Sequence, residues 1–235
     1  MLIARRSLPL LIVLLASSPA IARPALDAAR MSQLDRYDVL VFSDPHANGI
    51  ERGKAIGVFD GTPEEVFRVF SDYAKWQDYL PRVRASTVAA HDANHAVVDI
   101  VAELPWPAGR NKVTAVYTHE KLPGDVYRVR FGMLRGSMKQ YLGQCYIEPW
   151  APGRTAVTYE IVAEPDVLAP RSAINRGIKR SASGFVHALR QRINDLHRYG
   201  FLHPMAAPSP ERSPLVGPPP TPAAVKAAAS PEAKR

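Results

Sequence analysis

Apolar and polar positions alternate with period two along most of the middle of the chain. Val98, Ile100, Ala102 and Leu104 face one way while Asp99 and Glu103 face the other. The same alternation places Val113, Ala115 and Tyr117 together, then Tyr127, Val129, Phe131 and Met133, then Tyr141, Gly143, Cys145 and Ile147, then Val157, Tyr159 and Ile161. Turn-forming clusters separate the runs: His91-Asp92-Ala93-Asn94, Leu122-Pro123-Gly124-Asp125, Leu134-Arg135-Gly136-Ser137 and Ala151-Pro152-Gly153-Arg154. Short alternating strands joined by tight turns predict an antiparallel meander with one apolar face. No repeat and no alternation of strand with helix points to a parallel sheet.

The period then changes. From Pro170 to Gly200, Ile174, Ile178, Ala182, Phe185, Leu189, Ile193 and Leu196 recur at spacings of three and four. That predicts one long amphipathic helix. Arg176, Lys179, Arg180, His187, Arg190 and Arg198 fall on its far side. A row of small residues, Gly177, Ser181, Gly184 and Ala188, runs beside the apolar stripe. A mid-helix glycine costs about 1 kcal/mol relative to alanine, so the row suggests close approach by a strand or a ligand.

Upstream, Leu26 to Asp38 leaves room for a short helix, and Val39 to Phe42 is a short strand. Asn48-Gly49 is a hairpin cue before a strand over Ile50 to Phe59, where Gly53 and Gly57 weaken the strand or permit close packing. Thr62-Pro63-Glu64-Glu65 is a capping box with proline at the first helical position. A short helix follows through Tyr73, then a second helical turn ending at Pro81. Strand, two short helices, antiparallel strands and one long helix make an α+β architecture.

Composition bounds the domain. Arg5 and Arg6, the apolar run Leu8 to Ala16 and Ala20-Ile21-Ala22 read as a signal peptide over 1–22, which implies export to the periplasm or medium. The apolar run is too short to span a bilayer, and no cysteine near the cleavage point could carry a lipid. The segment 204–235 is dominated by Pro, Ala and Ser and contains no aromatic residue, so it reads as a disordered tail. One domain is expected over 25–203. The formal charge of +8 in 235 residues reads first as a solvated basic face, with attraction to an anionic surface as the sharper alternative. Lys179, Arg180 and Arg190 on the helix are candidates for contact with an anionic membrane, whereas export and the lack of aromatic-basic interleaving argue against nucleic acid.

Candidate chemistry is sparse. Cys145 is the only cysteine, so neither an internal disulfide nor a cysteine-based metal site can form. His91 and His95 lie in a polar turn rather than on one helical face, and no metal or other cofactor is expected. There is no Gly-x-Ser-x-Gly element. The four inward tyrosines Tyr117, Tyr127, Tyr141 and Tyr159, with Arg192 at the edge of the apolar stripe, could orient a bound carbonyl or polarise it.

Several stretches together resemble a known family. They are Gly61-Thr62-Pro63-Glu64-Glu65-Val66-Phe67 with Asp72-Tyr73 and Tyr79-Leu80-Pro81; Leu104-Pro105-Trp106-Pro107 with Arg110; Gly143-x-Cys145-x-Ile147-x-Pro149 followed by Gly153-Arg154-Thr155-x-Val157-x-Tyr159; and Ile174-Asn175-Arg176 with Ala188-Leu189-Arg190. Their order is similar to that of the START-like superfamily, which includes polyketide cyclase/dehydrase and coenzyme Q-binding proteins. Cys145 departs from the large residue common at that position. The resemblance implies a helix-grip fold, a curved sheet wrapped around the last helix, with a hydrophobic cavity between them. Trp76, Tyr79, Trp106, Phe131, Tyr141, Tyr159, Phe185 and Arg192 are the expected lining residues. The implied ligand is a lipid, isoprenoid quinone or polyketide-like molecule held by a carrier or binding protein. The alternatives are a cyclase/dehydratase using pocket Tyr and Arg residues, and an interaction module working through the Pro-rich tail.

Overall fold

A computed structural model of the protein describes residues 26–104 and 108–202. The signal segment, the tail and Trp106 therefore lie outside the described residues. Eight antiparallel strands form one curved sheet: β1 (Leu40–Pro45), β2 (Glu51–Asp60), β3 (Val83–His91), β4 (His95–Glu103), β5 (Arg110–Leu122), β6 (Val126–Gly136), β7 (Met138–Ala151) and β8 (Arg154–Pro165). Their spatial order is β1-β2-β8-β7-β6-β5-β4-β3. β3 to β8 are the expected meander; β2 closes onto β8, with Gly57 opposite Val157.

Among the described residues four α-helices accompany the sheet: α1 (Ala28–Asp35), α2 (Pro63–Ser71), α3 (Trp76–Tyr79) and α4 (Arg171–Arg198). The capping box forms as the sequence implies: Thr62 Oγ1 accepts from the Glu65 amide at 3.3 Å, and Glu65 Oε2 accepts from the Thr62 amide at 2.7 Å. None of these helices is long and apolar enough to cross a membrane.

The stripe from Ile174 to Ile193 is buried, joined by Val186 and Asn175. α4 lies chiefly on β2 and β8. The small residues that allow this are on the strand. A Cβ at Gly53 would stand 2.7 Å from Ile178 Cγ2, and one at Gly57 would stand 2.6 Å from Val186 Cγ1. The helix row is different from expectation. A Cβ at Gly177 would meet nothing within 4 Å, and one at Gly184 would meet only Pro81 at ordinary contact distance. The helix thus approaches the sheet closely through strand glycines, and of its own small row Gly177 faces open space while Ala188 packs against the core.

α1 covers the other face of β2, where Leu34, Ile56 and Val58 form a second small core. This explains the near-continuous apolar run Ala55 to Phe59: β2 is buried on both faces.

Candidate ligand cavity between sheet and helix

The meander directs Tyr117 (β5), Phe131 (β6), Tyr141 (β7) and Tyr159 (β8) into the space beneath α4. Because adjacent antiparallel strands are about 4.8 Å apart, alternate residues meet as a ring of aromatics. Centroids lie 5.3 Å apart for Tyr117 and Phe131, 5.3 Å for Phe131 and Tyr141, and 5.9 Å for Phe131 and Tyr159. Phe185 of α4 stacks on Tyr159 at 4.1 Å, with the ring planes 15° apart. Trp76 completes the floor, 5.9 Å from Phe185, its indole N–H donating to the Phe70 carbonyl at 2.9 Å.

The hydroxyls are the polar content of this interior. Tyr117 and Tyr141 hydroxyls lie 3.1 Å apart, and Tyr159 shares its hydroxyl interaction with Tyr141. Burial pushes all three phenols above their ordinary pKa of 10.0. They therefore stay protonated, able to donate a hydrogen bond but not to act as a base near neutrality. Burial also pushes the Cys145 thiol up, which removes it as a thiolate nucleophile. Tyr141 is part-buried, whereas Tyr117 and Tyr159 beside it are buried.

The structure brings together Trp76, Phe131, Tyr141, Tyr159 and Phe185 from the expected lining. It does not bring Arg192 to them. The Arg192 guanidinium lies 5.9 Å from the Tyr79 ring centroid, in a cleft of about 190 Å³ shared with Arg68, Asp72 and Leu196. Position 192 falls on the flank of α4 that faces α2 and α3 rather than the sheet. Tyr79 goes with it, its hydroxyl donating to the Val69 carbonyl at 3.2 Å.

Of the basic residues expected to face outward, Arg180 is exposed and Lys179 pairs with Glu51 at 3.3 Å. Arg190 is not on the outward face. Its guanidinium turns back over Phe59, at 5.3 Å, and donates to the Tyr37 carbonyl at 2.6 Å. Gly57 leaves the room that it fills.

Two residues extend the interior beyond the expected set. Tyr73, in the 3-10 turn after α2, bonds His119 Nε2 at 2.6 Å through its hydroxyl. The period of two in β5 continues from Val113, Ala115 and Tyr117 to His119, so the signal for an inward histidine was present. Burial lowers the His119 pKa. Among the described residues no group of His, Cys, Asp or Glu could hold a metal ion.

The comparisons agree with this geometry. No curated protein sequence matches the chain. Among solved structures it is similar to the STAR-related lipid transfer protein from Xanthomonas axonopodis, with 20% identity, a TM-score of 0.60, and 66% of this chain and 93% of that one covered. Human STARD10 shows 13% identity and a TM-score of 0.60 over 75% of this chain and 83% of its own. The Zhui aromatase/cyclase from Streptomyces sp. R1128 shows 13% identity and a TM-score of 0.54 over 62% of this chain and 96% of its own. These likenesses establish a shared fold. Residues 58–194, more than half of the sequence, match the family described as polyketide cyclase/dehydrase and lipid transport. The chain therefore belongs to that family, and its fold is the START-like helix grip.

Proposed function

We propose that this protein is an exported carrier or binding protein that holds a hydrophobic small molecule between its sheet and α4. The observation that carries the reading is the aromatic cluster of Tyr117, Phe131, Tyr141, Tyr159 and Phe185 between the sheet and α4, whose polar content is its tyrosine hydroxyls. Apolar burial would supply most of the affinity, at about 25 cal/mol per Å² before the costs of ordering. The cyclase/dehydratase alternative is less well supported. Arg192 lies in the cleft beside Tyr79, away from the tyrosine hydroxyls, so the Tyr and Arg pair that this alternative calls for is not assembled. Titration with an environment-sensitive hydrophobic dye, followed by displacement with a lipid and quinone panel, tests the reading. Saturable dye binding that a panel member reverses is expected. Dye binding that no hydrophobic competitor reverses contradicts it.

Cargo exchange is proposed to occur at an anionic membrane, through the end of the sheet where α4 begins. Leu168, between β8 and α4, is fully exposed there, and Leu134, near the end of β6, is 53% exposed. Arg110, Lys112, Arg135 and Arg176 are on the same end and have no ion-pair partner among the described residues. Apolar tips within a basic rim suit a negatively charged lipid surface. Flotation with vesicles containing phosphatidylglycerol should be lost with Leu134→Ser and Leu168→Ser together, and weakened by salt; unchanged flotation overturns the assignment.

A further inference from the structure

The three buried tyrosines hold one more hydrogen-bond donor than they can use among themselves. Each hydroxyl has one proton and two lone pairs. The group is a chain, Tyr117 to Tyr141 to Tyr159, with two links. Two links consume two protons. The third proton has no acceptor on another described residue, and burial makes an unsatisfied donor costly. No ion pair or hydrogen bond joins a cation to the chain among the described residues; Arg192, the cation that the sequence reading places in the cavity, lies in the separate cleft beside Tyr79.

From this count we infer that the cavity selects a neutral oxygenated hydrophobe, whose carbonyl or hydroxyl oxygen accepts the free tyrosine proton. This rests on the carrier reading and refines it. A pure hydrocarbon leaves the donor unsatisfied. An ionised carboxylate or phosphate would have to be desolvated with no cation to offset the cost. The oxygen sits at Tyr141, the middle of the chain, which accepts from Tyr117 and Tyr159, keeps its own proton free, and is the member of the three with accessible surface. The apolar part of the molecule then lies along Phe131, Tyr159 and Phe185.

The test uses the full exported chain and three probes of one skeleton: pentadecane, 2-pentadecanone and pentadecanoate, each displacing the same dye. The ketone is expected to bind about tenfold more tightly than the alkane, and the carboxylate more weakly than the ketone. Tyr141→Phe should erase the ketone's advantage while alkane affinity is kept, whereas Tyr159→Phe, which removes one donor together with one link, should leave the advantage in place. Alkane binding also shows that the variant interior is intact. Equal affinity for ketone and alkane, or preference for the carboxylate, overturns the inference and leaves the carrier reading standing. Failure of all three probes to displace the dye overturns both.

Discussion

Tyr159 of β8 and Phe185 of α4 stack at 4.1 Å, and this contact joins the last helix to the inner face of the sheet. The same pair borders the proposed cavity, so it both holds the helix down and sets the depth of the site. Phe185→Ala removes a buried ring and should cost about 3–5 kcal/mol. Phe185→Leu keeps most of the apolar volume and should cost less, while widening the interior. Urea denaturation of both variants gives the stabilities, and the affinity of a bulky hydrophobic dye should rise in Phe185→Leu.

Strand glycines and the helix glycine respond in opposite directions. Gly53→Ala drives a Cβ to 2.7 Å from Ile178 Cγ2 and 3.1 Å from the Ile178 carbonyl oxygen, and backbone cannot yield cheaply. It should destabilise by about 1–3 kcal/mol through overpacking. Gly177→Ala meets nothing and should stabilise by up to about 1 kcal/mol through helix propensity. Thermal melts of the two variants, run together, check the sign of each.

Asn175 ties α4 to the first hairpin. Its Oδ1 accepts from the Glu51 amide at 3.0 Å, and its Nδ2 donates to the Gly49 carbonyl at 3.1 Å. Asn175→Leu orphans both backbone groups and should cost about 1–3 kcal/mol. Hydrogen exchange should accelerate at the Glu51 amide in particular, while amides in β6 and β7 keep their protection.

The tyrosines make stability fall in alkali. Tyr73, Tyr79, Tyr117, Tyr141 and Tyr159 all have phenols raised by burial above the ordinary 10.0. Below that pH both folded and unfolded chains are protonated, and these groups add no pH dependence. Above it the unfolded chain releases protons that the folded chain retains, so stability drops as pH rises, by about 1.4 kcal/mol per unit for each buried tyrosine. His119 acts at the acid side. Its pKa is lowered from 6.5, so the unfolded chain binds the proton first and stability falls as pH drops below 6.5. Denaturation midpoints from pH 5 to 11 check both slopes, and tyrosinate absorbance should appear with unfolding rather than before it.

The elements were legible because each rests on a local rule. Alternation set the inward face of β4 to β8, the Thr62–Glu65 capping box set the start of α2, and the 3.6-residue period set α4. The contacts that decide the site were not legible in the same way. Asn175 interrupts no apolar stripe and looks like a surface residue until the hairpin backbone, distant in sequence, is brought to it. Arg190 sits on the polar side of a helical wheel, yet Tyr37 and Phe59 supply a carbonyl and an aromatic face that draw it inward. Arg192 was assigned to the cavity because it borders the apolar stripe, but that flank of α4 is met by α2 and α3. The small row Gly177 to Ala188 gave the correct idea of close packing at the wrong partner, since Gly53 and Gly57 provide it.

The central claim, a hydrophobic cargo held under α4, is tested most directly by native mass spectrometry of the full chain purified without detergent, with an organic extract analysed alongside. The account predicts a bound species at one per chain that partitions into the organic phase and carries a neutral oxygen function. A chain that is empty, and that no lipid or quinone stabilises against heat, would contradict it.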